Sequence, residues 1–264
     1  MTINFHDHRL RHSYTQRQAD PAWSTLLRSL TNLDGKIAVD IGCGGGIYSI
    51  ALAQLGAQEV IGVDSSEAML SGAQEYCNQW EQIRFIKGDA LHTELPTESV
   101  DLVLERALIH HLEDLEACFA EAYRILRPGG VLLVQDRIPE DCQYPGSISH
   151  IRGYFFEVYP RLLELERNRR HDLKKVCQAL ETTGFSSIEV HKLWERRRVY
   201  TSWTELEQDL LTRKGRSILH ELNDSELAHL VTYIKEKLQQ EQVETEIIEK
   251  DSWTLWYAQK PSSL

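Results

Sequence analysis

Between Gly35 and Gly130, short apolar runs alternate with stretches whose apolar residues recur every three or four positions. The short runs are Lys36 to Ile41, Val60 to Val63, Ile83 to Ile86, Val100 to Leu104 and Val131 to Gln135. They are largely apolar on both faces and predict buried strands. The periodic stretches between them predict helices over Ile47 to Leu55, about Ser66 to Gln79, and from an Asp114 N-cap to Leu126. Upstream, Pro21 opens a helix whose Ala22, Trp23, Leu26, Leu27 and Leu30 share one face. Strands separated by helices of this size predict a parallel sheet with right-handed crossovers.

After Asp136 the alternation stops. A turn-rich PEDCQYPGS is followed by YFFEVYPRLLELERNRR, aromatic first and basic second. It resumes with a helix over Asp172 to Thr183, closed by Gly184, and a sixth strand over Phe185 to His191. The last strand is expected at Trp253 to Ala258, and the segment between these two strands reads as helical. Ser202-x-x-Glu205 has the form of a capping box, and Leu227, Leu230, Val231, Ile234 and Leu238 form an apolar stripe behind Asn223 or Asp224. The expectation is one α/β domain over 1–264. Its N-terminal arm, 1–20, and its insertions, 138–170 and 198–250, would cover the substrate.

Composition narrows the function classes. The chain has 264 residues, with 29 Lys or Arg against 40 Asp or Glu, for a net charge of -11. That balance disfavours nucleic-acid coating and a polybasic membrane anchor. The charge is uneven, because residues 152–198 carry eleven basic and seven acidic side chains. They form either a solvated face or a rim for an anionic substrate. Five scattered cysteines, none in a CxxC pair, point to neither a zinc site nor a disulfide framework. No run approaches the roughly 18 apolar residues of a membrane span, and the first 18 residues have no signal-peptide core. A cytoplasmic monomer or homodimer is expected. His6, His8 and His12 read as a solvated segment, so no metal is expected.

The strongest chemical signal is Val39-Asp40-Ile41-Gly42-Cys43-Gly44-Gly45-Gly46, which leaves a strand and opens a helix. Glycines there let the backbone approach a ligand, and the helix start supplies unpaired N–H groups. The dinucleotide spacing G-x-G-x-x-G fails, since its third glycine position is Ile47. A carboxylate two residues before the first glycine would repel a pyrophosphate and suit a cationic amine. Asp64 ends the second strand, where a carboxylate can accept both hydroxyls of a ribose. It can equally cap the helix that follows. Asp89 ends the third strand, placed for an adenine amino group, with Ala90 against the ring. A nucleoside with a charged amino-acid tail fits this set, and S-adenosylmethionine is such a molecule.

With these motifs the chain resembles the class I S-adenosylmethionine-dependent methyltransferases, of the small-molecule type grouped with ubiquinone and menaquinone biosynthesis enzymes. The matching segments are VDIGCGGG (39–46), VIGVDSSEAML (60–70), IRFIKGDA (83–90), DLVLERALIHHL (101–112) and ILRPGGVLLVQDR (125–137). The resemblance implies a Rossmann-like, mostly parallel seven-stranded sheet with a helical lid inserted between the last two strands. It implies that Gly42, Gly44 and Gly46 cradle the methionine part, Asp64 and Ser65 meet the ribose, and Asp89 and Ala90 meet the adenine. Asp40 would orient the loop and contact the amino group. Met69 would pack on the adenine or in the core, and Tyr14 would lie near the methionine carboxylate.

A sulfonium methyl needs mainly in-line placement of its nucleophile, while a hydroxyl or ammonium acceptor also needs a base. Glu105, His110 and His111, after the fourth strand, are the candidate catalytic residues, with Glu105 also a candidate for the cofactor pocket. Arg106 would be its salt partner, and Asp136 and Arg137 would face the same mouth. Tyr154, Phe155, Phe156 and Tyr159 read as pocket lining or lid core, and Arg213 and Arg216 as an anion clamp. The expected partner is a small methyl acceptor of anionic or aromatic character, with no membrane. Two alternatives stand beside it. A nucleic-acid methyltransferase would usually carry an Asn- or Asp-Pro-Pro-aromatic motif where this chain has Leu104-Glu105-Arg106-Ala107. A non-catalytic regulatory relative would not need the intact glycine loop.

Overall fold

A computed structural model describes residues 18–213, 215–241 and 246–262. Tyr14 and the trio His6, His8 and His12 lie outside them. The seven strands are β1 (Ile37–Ile41), β2 (Glu59–Asp64), β3 (Ile83–Lys87), β4 (Val100–Arg106), β5 (Leu126–Asp136), β6 (Ser186–Tyr200) and β7 (Ile247–Gln259). They form one sheet in the order β3-β2-β1-β4-β5-β7-β6. The pairs β1–β2, β1–β4, β2–β3 and β4–β5 are parallel. β7 runs antiparallel to β5, from Val131 opposite Gln259 to Asp136 opposite Thr254. This is the sheet that the sequence predicts, with helices between its last two strands.

The described residues gather into two compact units. The first comprises 18–136, 171–193 and 254–262. It holds α1 (Pro21–Leu30), α2 (Ile47–Gln54), α3 (Glu67–Tyr76), α4 (Leu115–Ile125) and α7 (Leu173–Thr182). Asp114 caps α4 as the sequence predicts, and Asp20 and Asp172 likewise accept a backbone N–H of the first turn of α1 and α7. Trp23, Leu27 and Leu52 from α1 and α2 bury one face of the sheet against Ala38, Val60, Leu102, Leu104 and Leu133. That apolar face makes the strand ends rigid mounts.

The second unit comprises the described residues of 137–170 and 194–253, with α5 (Ile151–Val158), α6 (Pro160–Asn168), α8 (Trp203–Leu211) and α9 (Asp224–Gln240). Its core contains Tyr154, Phe155, Phe156, Leu206, Leu230 and Ile234, so the first three of the aromatic candidates are core. Asn223 and Glu226 form a complete capping box at α9. At α8 only half of the expected box exists. Ser202 accepts from Glu205 N, but the Glu205 carboxylate turns to Thr201 instead. Arg213 donates to Leu219 O, Leu222 O and Asp224, a loop staple, and Arg216 is buried among Asp209, Glu249 and Tyr200. Both expected clamp residues are engaged within the fold.

β6 and β7 are longer than their apolar patterns predict. Their extra residues include Glu195, Arg197, Glu249 and Asp251, which alternation reads as solvent-facing. Glu195, Glu249 and Asp251 are buried, and Arg197 donates to Glu249. Ion pairing replaces apolarity as the burial device, and hydropathy cannot register it. Among the described residues no helix is long and apolar enough to cross a membrane.

Candidate active site

The site is built on the C-terminal ends of β1, β2, β3, β4 and β5, all in the first unit. Beyond Ile41 the chain turns through Gly42, Gly44 and Gly46 at φ +72°, +51° and +81° and enters α2. Gly42 N and Cys43 N both donate to Val63 O, at 2.8 and 3.1 Å, pinning the loop to β2. Gly44 N donates to Asp64 Oδ2 at 2.9 Å, and Asp64 Oδ1 accepts from Ser66 N at 2.9 Å. The carboxylate thus orders the glycine loop and the entry to α3 together. Ser65 is exposed beside it, while Ser66 caps α3 by accepting from Met69 N. Met69 itself is buried.

The three glycines differ in what they face. A Cβ on Gly46 would stand 2.6 Å from Cys77 Sγ and 3.2 Å from Phe85, and one on Gly42 would stand 3.0 Å from Leu108. A Cβ on Gly44 would meet nothing within 4 Å. Gly46 serves packing, and Gly44 offers the open side. Gly46→Ala should therefore lose about 3 kcal/mol in urea unfolding, from overpacking and a left-handed residue together. Gly44→Ala should lose only about 1–2 kcal/mol, the left-handed penalty alone. The second variant isolates ligand effects from folding.

Asp40 lies on the same face as α2, where Ser49 Oγ donates to its Oδ2 at 2.7 Å. Burial pushes its carboxyl up to about 6; the Ser49 bond opposes the rise and the Asp64 charge adds to it. Arg106 lies on this face too, with its guanidinium 4.0 Å above the Tyr48 ring. Glu105 lies on the opposite face of β4, as alternation requires of neighbours in a strand. It is therefore not the salt partner of Arg106. Cys118 Sγ of α4 donates to its Oε1 at 3.4 Å, and its buried Oε2 has no hydrogen-bond partner.

Burial pushes the Glu105 carboxyl up to about 7, opposed by the Cys118 bond. The folded chain then holds a proton that the unfolded chain releases near the ordinary glutamate value. Its contribution to stability is present below that value and is lost as pH rises through about 7. Glu105→Gln should remove this loss. Between pH 4.5 and 8, unfolding midpoints of the variant should improve on wild type by up to roughly 3 kcal/mol. An unchanged difference across that range would place the ionised carboxylate comfortably in the fold.

Beyond β4, Ala107 takes φ +51° and donates to Gln135 O at 2.8 Å, turning the chain into the short 3-10 segment Ile109–His111. His110 Nδ1 lies 2.7 Å from Asp136 Oδ2, which also accepts from His110 N at 3.2 Å. The side chains are 12% and 1% exposed. An ionised carboxylate only accepts, so His110 Nδ1 is the donor of this bond. His171 Nε2 donates to Ile109 O and Leu112 O, at 3.1 and 2.8 Å, bracing the same segment. His111 is exposed, its ring 4.0 Å from that of His110. Beyond β3, Asp89 is exposed and accepts from Leu91 N at 2.7 Å, with Ala90 half-buried beside it.

Sequence reasoning named Asp136 but not its bond to His110, and it missed Ser49 and His171. Only Ser49 left a signal, as a polar residue inside an apolar helix face.

The chain matches the methyltransferase domain family over residues 39–134. It is 40% identical over 164 residues to the ubiquinone biosynthesis O-methyltransferase of Pseudomonas fluorescens strain SBW25, covering 59% of this chain and 64% of that protein. The chain spans between half and two thirds of the length of the first such relatives. A methyltransferase-fold protein from an antibiotic biosynthesis pathway of Anabaena variabilis superposes with a TM-score of 0.68 at 22% identity, over 94% of this chain and 99% of that one. Phosphoethanolamine N-methyltransferase 2 of Haemonchus contortus, in complex with S-adenosyl-L-methionine, superposes with a TM-score of 0.57 at 22% identity, over 98% of this chain and 60% of that one.

Proposed function

We propose that this chain, whose residues 39–134 match the methyltransferase domain family, is a class I methyltransferase that binds S-adenosylmethionine and methylates a hydroxyl of a small molecule. The observation that carries the reading is the Asp64 carboxylate, bonded to Gly44 N and Ser66 N beside the open face of Gly44. The residues present fit the cofactor. The N–H groups of Gly42, Gly44 and Gly46 are taken within the fold by Val63 O, Asp64 Oδ2 and Cys43 O, so the loop would receive the amino-acid end on the open side of Gly44, and Asp40 would offer a carboxylate to its ammonium. Asp64 and Ser65 would take the ribose hydroxyls, and Asp89 and Ala90 the adenine. Met69 would support the adenine pocket from the core. Glu105 would line the pocket, with its Oε2 open to a donor. Bound there, the group supplies an electrophilic methyl on sulfur.

The chain's own task is then to place the acceptor and take its proton. His110 is placed to do so through Nε2, because Asp136 holds the proton on Nδ1 and His171 fixes the turn. His111, exposed and stacked near His110, would be an outer member of this pair. A base of this kind suits a hydroxyl, the acceptor group that the O-methyltransferase relative's name supports, and a phenol is the hydroxyl that gives up its proton most readily.

Calorimetric titration of the full chain with S-adenosylhomocysteine, followed by a homocysteine-release assay with catechol, tests the reading. Micromolar binding and turnover are expected. A folded chain that binds neither S-adenosylmethionine nor its product would sink it.

A further inference from the structure

Within the first unit, the turn that carries Asp89 is fastened to α4 by the buried carboxylate of Glu121. Asp89 N donates to His92 O at 3.1 Å and His92 N to Asp89 O at 3.0 Å, so residues 89–92 form one closed turn. Its direction is set by what holds it at either end. Before it, Gly88 N donates to Asp64 O at 3.2 Å, and a Cβ on Gly88 would stand 2.8 Å from Val63 and 3.1 Å from Thr93 O. After it comes Thr93, wholly buried. Its N and its Oγ1 both donate to Glu121 Oε1, at 2.7 and 2.5 Å.

Glu121 is held in turn by Arg124, three residues further along α4. Arg124 Nε donates to Glu121 Oε2 at 2.7 Å and Nη2 to Oε1 at 2.8 Å, a two-point grip on the carboxylate. The same guanidinium reaches the chain beyond Thr93, at Leu95 O (2.8 Å) and Thr97 Oγ1 (3.1 Å). Burial raises the Glu121 carboxyl, but the bonds from Arg124 and Thr93 outweigh it and hold it down at about 2. Glu121 is thus ionised at any working pH. Apolar side chains of similar volume often stabilise a fold as well as a buried ion pair does. What the pair adds here is direction, because two donors on one threonine must both aim at one fixed oxygen. Asp89 gives Oδ1 to Leu91 N at 2.7 Å, so the turn in its turn orients the Asp89 carboxylate.

We propose that Glu121 and Thr93 are positioning residues for the adenine: they hold the 89–92 turn so that Asp89 meets the exocyclic amine of S-adenosylmethionine. This role rests on the methyltransferase reading above, which supplies the ligand.

The test is calorimetric titration of the full chain with S-adenosylhomocysteine and with its analogue carrying hypoxanthine in place of adenine. The analogue has an oxygen where adenine has its amine, and it cannot donate to Asp89 there. Wild type should prefer adenine about 10-fold to 100-fold, the worth of one charge-assisted bond. Asp89→Ala should lose that preference. Thr93→Val and Glu121→Gln should weaken S-adenosylhomocysteine about fivefold, leave the analogue nearly unchanged, and so narrow the preference. Thr93→Ser, which keeps the hydroxyl, should match wild type. Adding Glu121→Gln to Asp89→Ala should change neither affinity further, since both act on one contact. A merely structural role would weaken both nucleosides alike and preserve their ratio, and that result overturns the proposal. Thr93→Val is the milder change and decides the matter if Glu121→Gln fails to fold. A wild type that binds both nucleosides equally removes the adenine contact of Asp89 and this role with it, while the methyltransferase reading stands. A folded wild type that binds neither sinks both.

Discussion

Asp64→Ala is expected to bind S-adenosylhomocysteine about 100-fold or more weakly than the wild-type chain, because two charge-assisted bonds and a ligand contact disappear together. The carboxylate has two oxygens and both are committed within the fold, to Gly44 N at 2.9 Å and Ser66 N at 2.9 Å. Each oxygen has a second lone pair, which is what a ribose diol would use. Removing the side chain therefore takes away the contact and also one tie of the loop to β2, while the bonds of Gly42 N and Cys43 N to Val63 O remain. Asp64→Asn separates the two effects. Its single carbonyl oxygen can keep one backbone partner, while its amide cannot accept from the other. It should fall between alanine and wild type in affinity and unfold at a temperature closer to wild type. Gly44→Ala completes the comparison, since its Cβ enters the open side and meets no protein atom within 4 Å. Weak binding in Gly44→Ala with no more than the left-handed penalty of about 1–2 kcal/mol in stability would place the ligand on that side of the loop. Unchanged affinity in Asp64→Ala would refute the assignment of the ribose end to β2.

The features legible in the sequence are those set by local rules. Buried strands of a parallel sheet are largely apolar, so β1, β2, β4 and β5 could be read directly, and the half-exposed edge strand β3 from its three apolar residues; caps such as Asp114 and Asn223 follow from backbone groups in need of acceptors. The glycine loop was legible because a strand, three left-handed residues and a helix are adjacent in sequence. Pairings between distant residues were not. Asp40 meets Ser49 across nine positions, and Asp136 meets His110 across twenty-six. Neither distance has a period that a hydropathy pattern reports. The basic runs misled in a different way. Arg167, Arg169 and Arg170, like Arg196 to Arg198, look solvated in sequence, yet Arg170 is buried against Glu166 and Arg197 against Glu249. Charge count sees the cations but cannot see carboxylates brought to them from other elements. The same blindness hid the outer halves of β6 and β7.

Asp136→Asn should lower kcat for a hydroxyl acceptor by about 100-fold to 10,000-fold while leaving S-adenosylhomocysteine affinity unchanged. The reason is the direction of one hydrogen bond. Asp136 Oδ2 accepts from both His110 Nδ1 and His110 N, and in the proposed mechanism this keeps a proton on Nδ1 and reserves Nε2 for the proton of the acceptor. An asparagine amide in its place can donate to Nδ1, which moves the proton to Nε2 and leaves no nitrogen to take one from the acceptor. The effect belongs to kcat, since no charge on the acceptor side of the pocket is altered. His110→Asn should lose a similar factor, and the double variant little more, because both changes disable one unit. His111→Asn, at an exposed position, should stay within about twofold, since surface substitutions rarely disturb a site. The acceptor provides the sharpest control. A phenol whose hydroxyl is already ionised at the assay pH needs no base, so the gap between wild type and Asp136→Asn should close with it. A merely structural role for Asp136 would depress both acceptors alike, and that result would remove the base from the mechanism.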